Sequence, residues 1–237
     1  MRAVILAGGR GRRLAPYTTV LPKPLMPIGD VPIIEIVIRQ LRHFGFKRIT
    51  LAVGHLSELI DAYLRSRQGC FEDVELEFAY ENQPTGTAGA LGAIPGLDRT
   101  FLAMNGDILT DLDYSQLVAH HRRTGAALTI ATARRRIKID FGVIESDSTG
   151  RVRGYLEKPE LDYSVSMGVY VYEPRVLAWI PKDGYLDLPD LVHCLLSHGE
   201  RVGTYVWDGY WLDIGRPEDL QLAIERFSQM SGAFNID

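Results

Sequence analysis

Long apolar runs and closely spaced cysteines are both missing from this chain of 237 residues. No apolar stretch approaches the roughly 20 residues that a membrane-spanning helix requires, which argues against a membrane protein. The two cysteines, Cys70 and Cys194, lie far apart and predict neither a disulfide framework nor a metal site. The first apolar residues run directly into a glycine motif, so we expect no separate signal segment. Together these absences predict a protein of the reducing cytoplasm.

An excess of positive charge is also missing. The chain has 26 lysines and arginines against 30 aspartates and glutamates, which gives a formal net charge of −4. This balance argues against a nucleic-acid-binding protein. The basic residues are nevertheless concentrated near the start of the chain, at Arg2, Arg10, Arg12, Arg13 and Lys23. A locally basic site in an acidic protein suits a small phosphorylated ligand.

The first two dozen residues carry the most informative pattern. An apolar run at positions 3–7 has the length and β-branching of a buried parallel strand. It leads into Gly8, Gly9 and Gly11, then to Arg13 and to Lys23 between two prolines. Glycines after a strand let main-chain N–H groups approach a ligand closely, and arginine adds bidentate donors for phosphate oxygens. The stretch therefore predicts a site for an anionic polyphosphate.

Two familiar phosphate-binding motifs are excluded at this position. A Walker loop requires Lys-Ser or Lys-Thr after its glycines, and no such pair follows here. A dinucleotide-binding fingerprint requires a third glycine where this chain has Leu14, and Pro16 soon interrupts any helix.

The whole chain, residues 1–237, is predicted to form one α/β domain without linkers, repeats or low-complexity segments. Strands alternate with helices through the first half, which predicts parallel pairing with right-handed crossovers. From residue 134, closely spaced short strands predict antiparallel or mixed additions to the sheet. We expect Ser57 to cap one helix, and Asp113 with Gln116 to begin another. The predicted strands span residues 3–7, 48–53, 74–80, 100–105, 126–133, 142–145, 151–156, 165–172 and 201–207, and the main helices begin near residues 32, 57, 85, 113, 188 and 217.

Two proline-rich and glycine-rich signatures then point to a family. The pattern Gly8-Gly9-x-Gly11-x-Arg13-Leu14-x-Pro16-x-Thr18, followed by Pro22-Lys23-Pro24-Leu25-x-Pro27, resembles the signature of the sugar-1-phosphate nucleotidylyltransferases, or NDP-sugar pyrophosphorylases. The resemblance implies a Rossmann-like three-layer α/β/α fold with a mixed, mostly parallel central sheet. It also implies transfer of a nucleotidyl group from a nucleoside triphosphate to a sugar 1-phosphate, with Mg²⁺ as cofactor and pyrophosphate as the second product.

The resemblance further implies roles for residues that match the family's motifs. Catalysis is expected from four residues: Arg13, Lys23, Asp107 and Lys158. The expected nucleotide-binding residues are Leu6, Ala7, Gly8, Gly9, Gly11, Arg13, Lys23, Glu81, Gly86 and Thr87. The expected sugar-phosphate-binding residues are Gly142, Glu157, Lys158 and Gly168. The metal is expected between Asp107 and Asp213, which come from distant parts of the chain.

The prediction of which base the nucleotide carries depends on Glu81. Thymidylyltransferases of the family carry a glutamine five residues before the loop glycine, and this chain has Glu81 five residues before Gly86. An ionised carboxylate only accepts hydrogen bonds, so it suits guanine, which offers N1–H beside its amino group. The chain therefore resembles the guanylyltransferase branch that acts on mannose or heptose 1-phosphates. A register shifted to Gln83 would instead restore a pyrimidine reader.

Other functions stay open at this stage. The nearest is the same reaction with dTTP or UTP and a glucose- or amino-sugar 1-phosphate. A sensing module that keeps the fold without catalysis, and a dehydrogenase, are the alternatives of a different class. The chain ends soon after its last predicted helix, so we expect no C-terminal β-helix. A homodimer is compatible with the sequence, which does not indicate one.

Overall fold

The computed structural model describes residues 1–81, 83–182 and 184–234. The strands within these residues are β1 (Arg2–Ala7), β2 (Pro27–Ile28), β3 (Val31–Pro32), β4 (Arg48–Val53), β5 (Glu75–Tyr80), β6 (Phe101–Asn105), β7 (Ile108–Thr110), β8 (Leu128–Lys138), β9 (Val143–Ser146), β10 (Val152–Leu156), β11 (Glu160–Tyr172), β12 (Val202–Trp207) and β13 (Trp211–Asp213). The α-helices are α1 (Ile33–His43), α2 (Ser57–Ser66), α3 (Gly86–Gly92), α4 (Tyr114–Thr124), α5 (Leu188–Ser197) and α6 (Pro217–Met230).

A seven-stranded sheet with the order β12-β8-β11-β6-β1-β4-β5 forms the centre of the fold. All its strands run parallel except β11, which lies antiparallel between β8 and β6. The predicted mixed, mostly parallel sheet is therefore confirmed. The predicted antiparallel or mixed additions are present, since β11 runs antiparallel to both of its neighbours, and it lies in the middle of the sheet, where it separates β8 from β6.

Helices cover both faces of this sheet. Along β1 the side chains of Ala3, Ile5 and Ala7 join one core cluster, whereas Val4 points into a second. The first cluster holds buried side chains of α1, α2, α4 and α6, and the second holds those of α3 and α5. Because successive side chains of a strand point to opposite faces, the two clusters define three layers. The predicted α/β/α architecture is confirmed.

A two-stranded extension leaves the sheet at its carboxyl edge. Trp207, at the end of β12, pairs with Ala133, and β8 continues beyond that point with β11 as its partner. In the chain, β9 and β10 lie between β8 and β11, and they form a separate antiparallel pair. We call residues 134–164 the arm. Its charged stem was not expected to be strand, but Arg136 lies opposite Asp162 and contacts its carboxylate at 2.9 Å, a favourable cross-strand pair.

The helix ends test two capping predictions. Asp113 accepts hydrogen bonds from the backbone N–H groups of Ser115 and Gln116 at 2.9 and 3.1 Å, so the predicted start of α4 is confirmed. The prediction for Ser57 is wrong. Ser57 is the first residue of α2 and is buried, while Leu56, in the left-handed region at φ 55°, occupies the capping position. None of the helices in the described ranges is long and apolar enough to cross a membrane.

Candidate active site

The carboxyl ends of three parallel strands of the sheet lead to one cavity of about 450 Å³. Strand β1 leads into Gly8, β5 into Glu81, and β6 into Gly106. Ligands of open α/β sheets bind at this edge. The described residues that line the cavity are Leu6, Ala7, Gly8, Gly9, Gly11, Arg12, Arg13, Lys23, Pro24, Glu81, Pro84, Gly86, Thr87, Ala90, Asn105, Gly106, Asp107, Tyr185, Asp187 and Gly215. This set includes every predicted nucleotide-binding residue.

The glycine turn, residues 8–11, forms the floor of the cavity and lies close to the side chains around it. A Cβ atom at Gly8 would stand 2.7 Å from Oε1 at the end of the Glu81 side chain, so a larger residue there would displace that carboxylate. Gly11 is in the left-handed region at φ 58°, which favours glycine. Its carbonyl accepts a hydrogen bond from Oγ1 of Thr18 at 2.9 Å, which ties the turn to the segment that follows. The signature residues thus hold the backbone open toward the cavity.

Lys23 extends into the cavity from a buried position. It begins a short 3₁₀ turn between Pro22 and Pro24, and only 8% of its surface is exposed. Its ammonium group makes a salt bridge with Oδ2 of Asp107. Two residues far apart in the chain are therefore joined at the inner end of the cavity.

Asp107 and Asp213, the two predicted metal ligands, are neighbours in space. The short strands β7 and β13 pair with Ile108 opposite Asp213, and the backbone N–H of Ile214 donates to the carbonyl of Asp107 at 3.0 Å. Surrounding protein atoms desolvate the Asp213 carboxyl and, with the nearby Asp107 charge, raise its pKa, while Lys23 acts in the opposite direction. Asp213 remains partly open to solvent. Asp107 lines the cavity and Asp213 does not, so the two acidic groups meet beside the cavity at Asp107.

The donor set at this end fits a hard divalent cation. Oδ1 of Asp107 is buried without a hydrogen-bond partner, while Oδ2 is held by Lys23. Among the described residues, no group of three or more histidine, cysteine, aspartate or glutamate side chains could hold a metal. A cation at Asp107 and Asp213 would therefore take its other ligands from water or from a bound phosphate, which is how Mg²⁺ is commonly held.

Arg13 faces the same end from the opposite wall. A Cβ atom at Gly215 would stand 3.3 Å from the Arg13 guanidinium group, so the two lie in contact. Gly215 follows β13 and Asp213 closely in the chain, which brings the start and the end of the fold together. The charge of Arg13 also acts on Asp213, in the direction that lowers the pKa of that carboxyl.

Glu81 lies over the glycine turn at the other end of the cavity. Its Oε2 accepts hydrogen bonds from the backbone N–H and hydroxyl of Thr85, at 3.4 and 3.0 Å. Its Oε1 lies beside Gly8, and no hydrogen bond to it is present among the described residues. This oxygen is available as an acceptor for a ligand.

Several cavity residues were not predicted from the sequence. Tyr185 and Asp187 belong to the segment before α5, whose approach to α3 has no signal in the local sequence. Asn105 lies two residues before Asp107 on β6, and the amide oxygen of Asn105 is buried without a partner. Arg12 was noted only as part of the basic cluster.

The predicted sugar-phosphate residues do not line this cavity. Gly142, Glu157 and Lys158 lie on the arm, where a Cβ atom at Gly142 would meet the hydroxyl of Tyr155. That hydroxyl donates to Oε2 of Glu157 at 2.9 Å. Gly168 is separate from these three. It has φ 74°, and a Cβ atom there would meet Asn105 and Ile108, so it lies beside the Asp107 turn at the base of the arm.

The comparison with known families assigns the chain to a family. A family model described as nucleotidyl transferase matches residues 2–229 of the chain. The chain belongs to the nucleotidyl transferase family. The resemblance drawn from the glycine and proline motifs is thereby confirmed, and the matched region includes the cavity and the arm.

Individual members of the nucleotidyl transferase family extend the comparison. A UTP–glucose-1-phosphate uridylyltransferase from Synechocystis is 34% identical over 94% of this chain and 62% of its own length. A mannose-1-phosphate guanylyltransferase from Mycobacterium tuberculosis is 31% identical over 92% of this chain and 62% of its own. The chain thus spans less than two thirds of either relative. The crystal structure of HddC from Yersinia pseudotuberculosis complexed with GMP-PN is 25% identical, with a TM-score of 0.71 over 95% of this chain and 99% of that one.

Proposed function

We propose that this chain transfers a nucleotidyl group from a nucleoside triphosphate to a sugar 1-phosphate, releasing pyrophosphate. The observation that carries the proposal is that the glycine turn, Lys23 and Asp107 line one cavity and that Asp213 lies next to Asp107. Relatives named as sugar-1-phosphate nucleotidyltransferases support it.

The reaction needs no activated nucleophile from the protein. A sugar phosphate has a second pKa of about 6 and is mostly a dianion at neutral pH. Its oxygen can therefore attack the α-phosphorus directly, and the protein's task is alignment and charge stabilisation. In this proposal the main-chain N–H groups of the glycine turn hold the triphosphate, while Arg13 stabilises the departing pyrophosphate. Lys23 donates to phosphate oxygens near the reacting phosphorus.

Asp107 and Asp213 would hold Mg²⁺ in this proposal. When bound, the cation neutralises phosphate charge and polarises the phosphoryl oxygens. Lys23 has a second role here, because its ammonium group balances the Asp107 charge at the same place. Glu157 and Lys158 on the arm would bind the acceptor, with Lys158 contacting the sugar phosphate and Glu157 the sugar hydroxyls.

For the donor we propose GTP, with a mannose- or heptose-type 1-phosphate as acceptor. Oε1 of Glu81 is an acceptor at the cavity, and adjacent N–H groups of guanine match an acceptor-only carboxylate. The guanylyltransferase relative and the HddC complex with GMP-PN support this choice. The second candidate is UTP with glucose 1-phosphate, which the 34% identical uridylyltransferase favours.

A substrate panel tests the proposal and separates these candidates. Purified protein is incubated with Mg²⁺, each of five nucleoside triphosphates and several sugar 1-phosphates, and pyrophosphate release is measured. We expect release to require both substrates and to be fastest with GTP and a mannose- or heptose-type phosphate. Fastest release with UTP and glucose 1-phosphate would select the second candidate. Pyrophosphate release that is independent of any sugar phosphate would contradict the transferase reaction.

A further inference from the structure

An exposed aromatic ring lines the same cavity as the glycine turn and Glu81. Tyr185 lies in the segment before α5 and lines the cavity together with Glu81, Gly86 and Thr87. It is 65% exposed, and it is the one aromatic side chain among the described residues that line the cavity. Leu6, Pro24 and Pro84 also offer apolar surface to a ligand, but none of the described lining residues besides Tyr185 offers an aromatic ring.

The ring is held in this position by a hydrogen-bonded chain. The Tyr185 hydroxyl donates to Oδ2 of Asp187. The other oxygen, Oδ1 of Asp187, accepts from the backbone N–H and the hydroxyl of Thr87, at 3.2 and 3.4 Å. In return, the Thr87 hydroxyl accepts from the backbone N–H of Leu188 at 2.9 Å. The starts of α3 and α5 thus cap each other, and Tyr185 is attached to that junction.

The same junction is connected to Glu81. The backbone N–H of Leu186 donates to the carbonyl of Thr85 at 2.8 Å, and Thr85 donates to the Glu81 carboxylate. These hydrogen bonds connect the Tyr185 ring to the Glu81 carboxylate through the residues at the start of α3. The Tyr185 ring offers a flat face for stacking, and the Glu81 carboxylate offers an acceptor oxygen for hydrogen bonds. A planar heterocycle with N–H groups can use both.

We propose that Tyr185 is a nucleobase-binding residue whose ring stacks on the base of the bound nucleoside triphosphate. The inference rests on the proposed function and adds to it a contact with the base face, whereas Glu81 contacts the base edge. Removal of an aromatic ring that stacks on a base weakens binding by about 5- to 150-fold. The larger surface of a purine makes the expected loss greater for GTP and ATP than for UTP.

Calorimetric titration without sugar phosphate tests the contact, with inorganic tripolyphosphate as a probe that has no base. We expect Tyr185→Ala to weaken GTP binding by about 5- to 150-fold and to leave tripolyphosphate binding unchanged. Tyr185→Phe keeps the ring and loses only the bond to Asp187, so it should retain most of the affinity for GTP. Tyr163→Ala, which removes a half-exposed tyrosine of the arm, is the matched control and should bind both ligands normally.

The possible results separate the inference from the function on which it rests. Unchanged GTP binding by Tyr185→Ala, or an equal loss for GTP and tripolyphosphate, would overturn stacking. A loss in Tyr185→Phe as large as in Tyr185→Ala would assign the effect to the Asp187 bond instead of the ring. A wild-type chain that binds tripolyphosphate but no nucleoside triphosphate would remove the proposed function itself.

Discussion

Lys23 and Asp107 line the cavity, Asp213 lies next to Asp107, and the charges of the three residues act on one another. The Lys23 ammonium pairs with one oxygen of Asp107, and the other oxygen has no hydrogen-bond partner. Desolvation is the larger cause of the raised pKa of Asp213, and the nearby Asp107 charge raises that pKa further. Replacing any one of these three side chains therefore changes the electrostatic environment of the other two.

Replacing Asp107 tests this end of the cavity directly. We expect Asp107→Ala to lower kcat for pyrophosphate release with Mg²⁺ by at least about 10²–10³-fold, the usual loss when one group that stabilises transition-state charge is removed. Asp98→Ala is the matched control, because Asp98 is an exposed aspartate at the opposite, amino edge of the sheet. Undiminished activity of Asp107→Ala would exclude Asp107 from the reaction.

Glu81 allows a prediction about base choice. Glu81→Gln replaces one acceptor oxygen by an N–H₂ donor, which opposes the N–H groups of guanine. We expect kcat/KM for GTP to fall by about 10-fold or more, since hydrogen bonds to charged groups contribute about 1.5–3 kcal/mol, with smaller changes for the other triphosphates. The control is Glu58→Gln, an exposed glutamate on α2. Equal losses for all nucleotides would refute Glu81 as the base reader.

At the scale of elements, α3 is defined by glycines on one of its faces. Cβ atoms at Gly86, Gly89 and Gly92 would meet backbone oxygens of the segment before α5 at 2.5, 2.8 and 2.6 Å. These spacings of three residues lie on one helical face, so backbone packs directly on backbone there. Gly86, a predicted nucleotide-binding residue, therefore has a packing role as well.

Gly92 is the best place to measure that packing. We expect Gly92→Ala to lower the free energy of unfolding by about 1–3 kcal/mol, because the added methyl group has no room against the Pro181 carbonyl. Gly69→Ala is the matched control, since a Cβ atom there meets nothing within 4 Å, and its effect should stay within about 0.5 kcal/mol. Urea unfolding of the two variants provides the comparison, and equal stabilities would contradict the close packing.

The arm is the second element with its own prediction. If Lys158 holds the acceptor phosphate, Lys158→Ala should raise KM for the sugar 1-phosphate by about 10-fold or more and leave KM for the nucleotide nearly unchanged. Lys138→Ala, at an exposed lysine of the same arm, should change neither constant. Initial-rate kinetics with each substrate varied in turn provide the test. A rise in KM for the nucleotide alone would place Lys158 on the other substrate.

Sequence reasoning succeeded for elements whose own residues carry the signal. The apolar run of β1 and the glycines that follow predicted both a buried strand and the cavity floor, and Pro217 predicted the start of α6. It failed for β7 and β13, which have three residues each and are specified by pairing with one another. Tyr185 was missed for a similar reason, because its position depends on the packing of α3 against a segment about 100 residues away in the chain.

At the scale of the whole molecule, a buried histidine links stability to pH. His121 on α4 is fully buried, with one ring nitrogen 2.7 Å from the Thr129 hydroxyl on β8 and the other 3.1 Å from the Glu173 carboxylate. Burial lowers the pKa of His121, and the Glu173 charge opposes this only in part. The native state therefore binds this proton less readily than the unfolded chain does.

The sign of the pH effect follows from that difference. The contribution of His121 to stability is present above the ordinary histidine pKa of about 6.5 and is lost as the pH falls toward its lowered native value. We expect the unfolding free energy to decline less steeply between pH 6.5 and pH 5 in His121→Gln than in wild type, measured by denaturant unfolding. His193→Gln, at an exposed histidine, should keep the wild-type slope. Identical slopes in all three proteins would contradict the assignment.

The arrangement of layers was predictable from the sequence, but the order of strands was predictable only in part. Alternation of strands and helices predicted the parallel half of the sheet, which the strand order confirms. The two core clusters confirm the layers. The central position of β11 depends on contacts between distant segments, since the paired residues of β6 and β11 are about 70 positions apart in the chain. Local patterns contain no record of such pairing, because pairing energy depends on the facing strand as well as on the strand itself.

The arm grows from the sheet through β8 and β11 alone, and many of its apolar side chains, including Phe141, Ile144 and Tyr155, are exposed. Exposed positions away from special contacts tolerate replacement at small cost, usually within about 0.5 kcal/mol. The stability of the central sheet is therefore largely independent of the arm residues that would bind the acceptor. If Glu157 and Lys158 bind the acceptor as proposed, substitutions in the arm can change the acceptor preference while the central sheet stays intact.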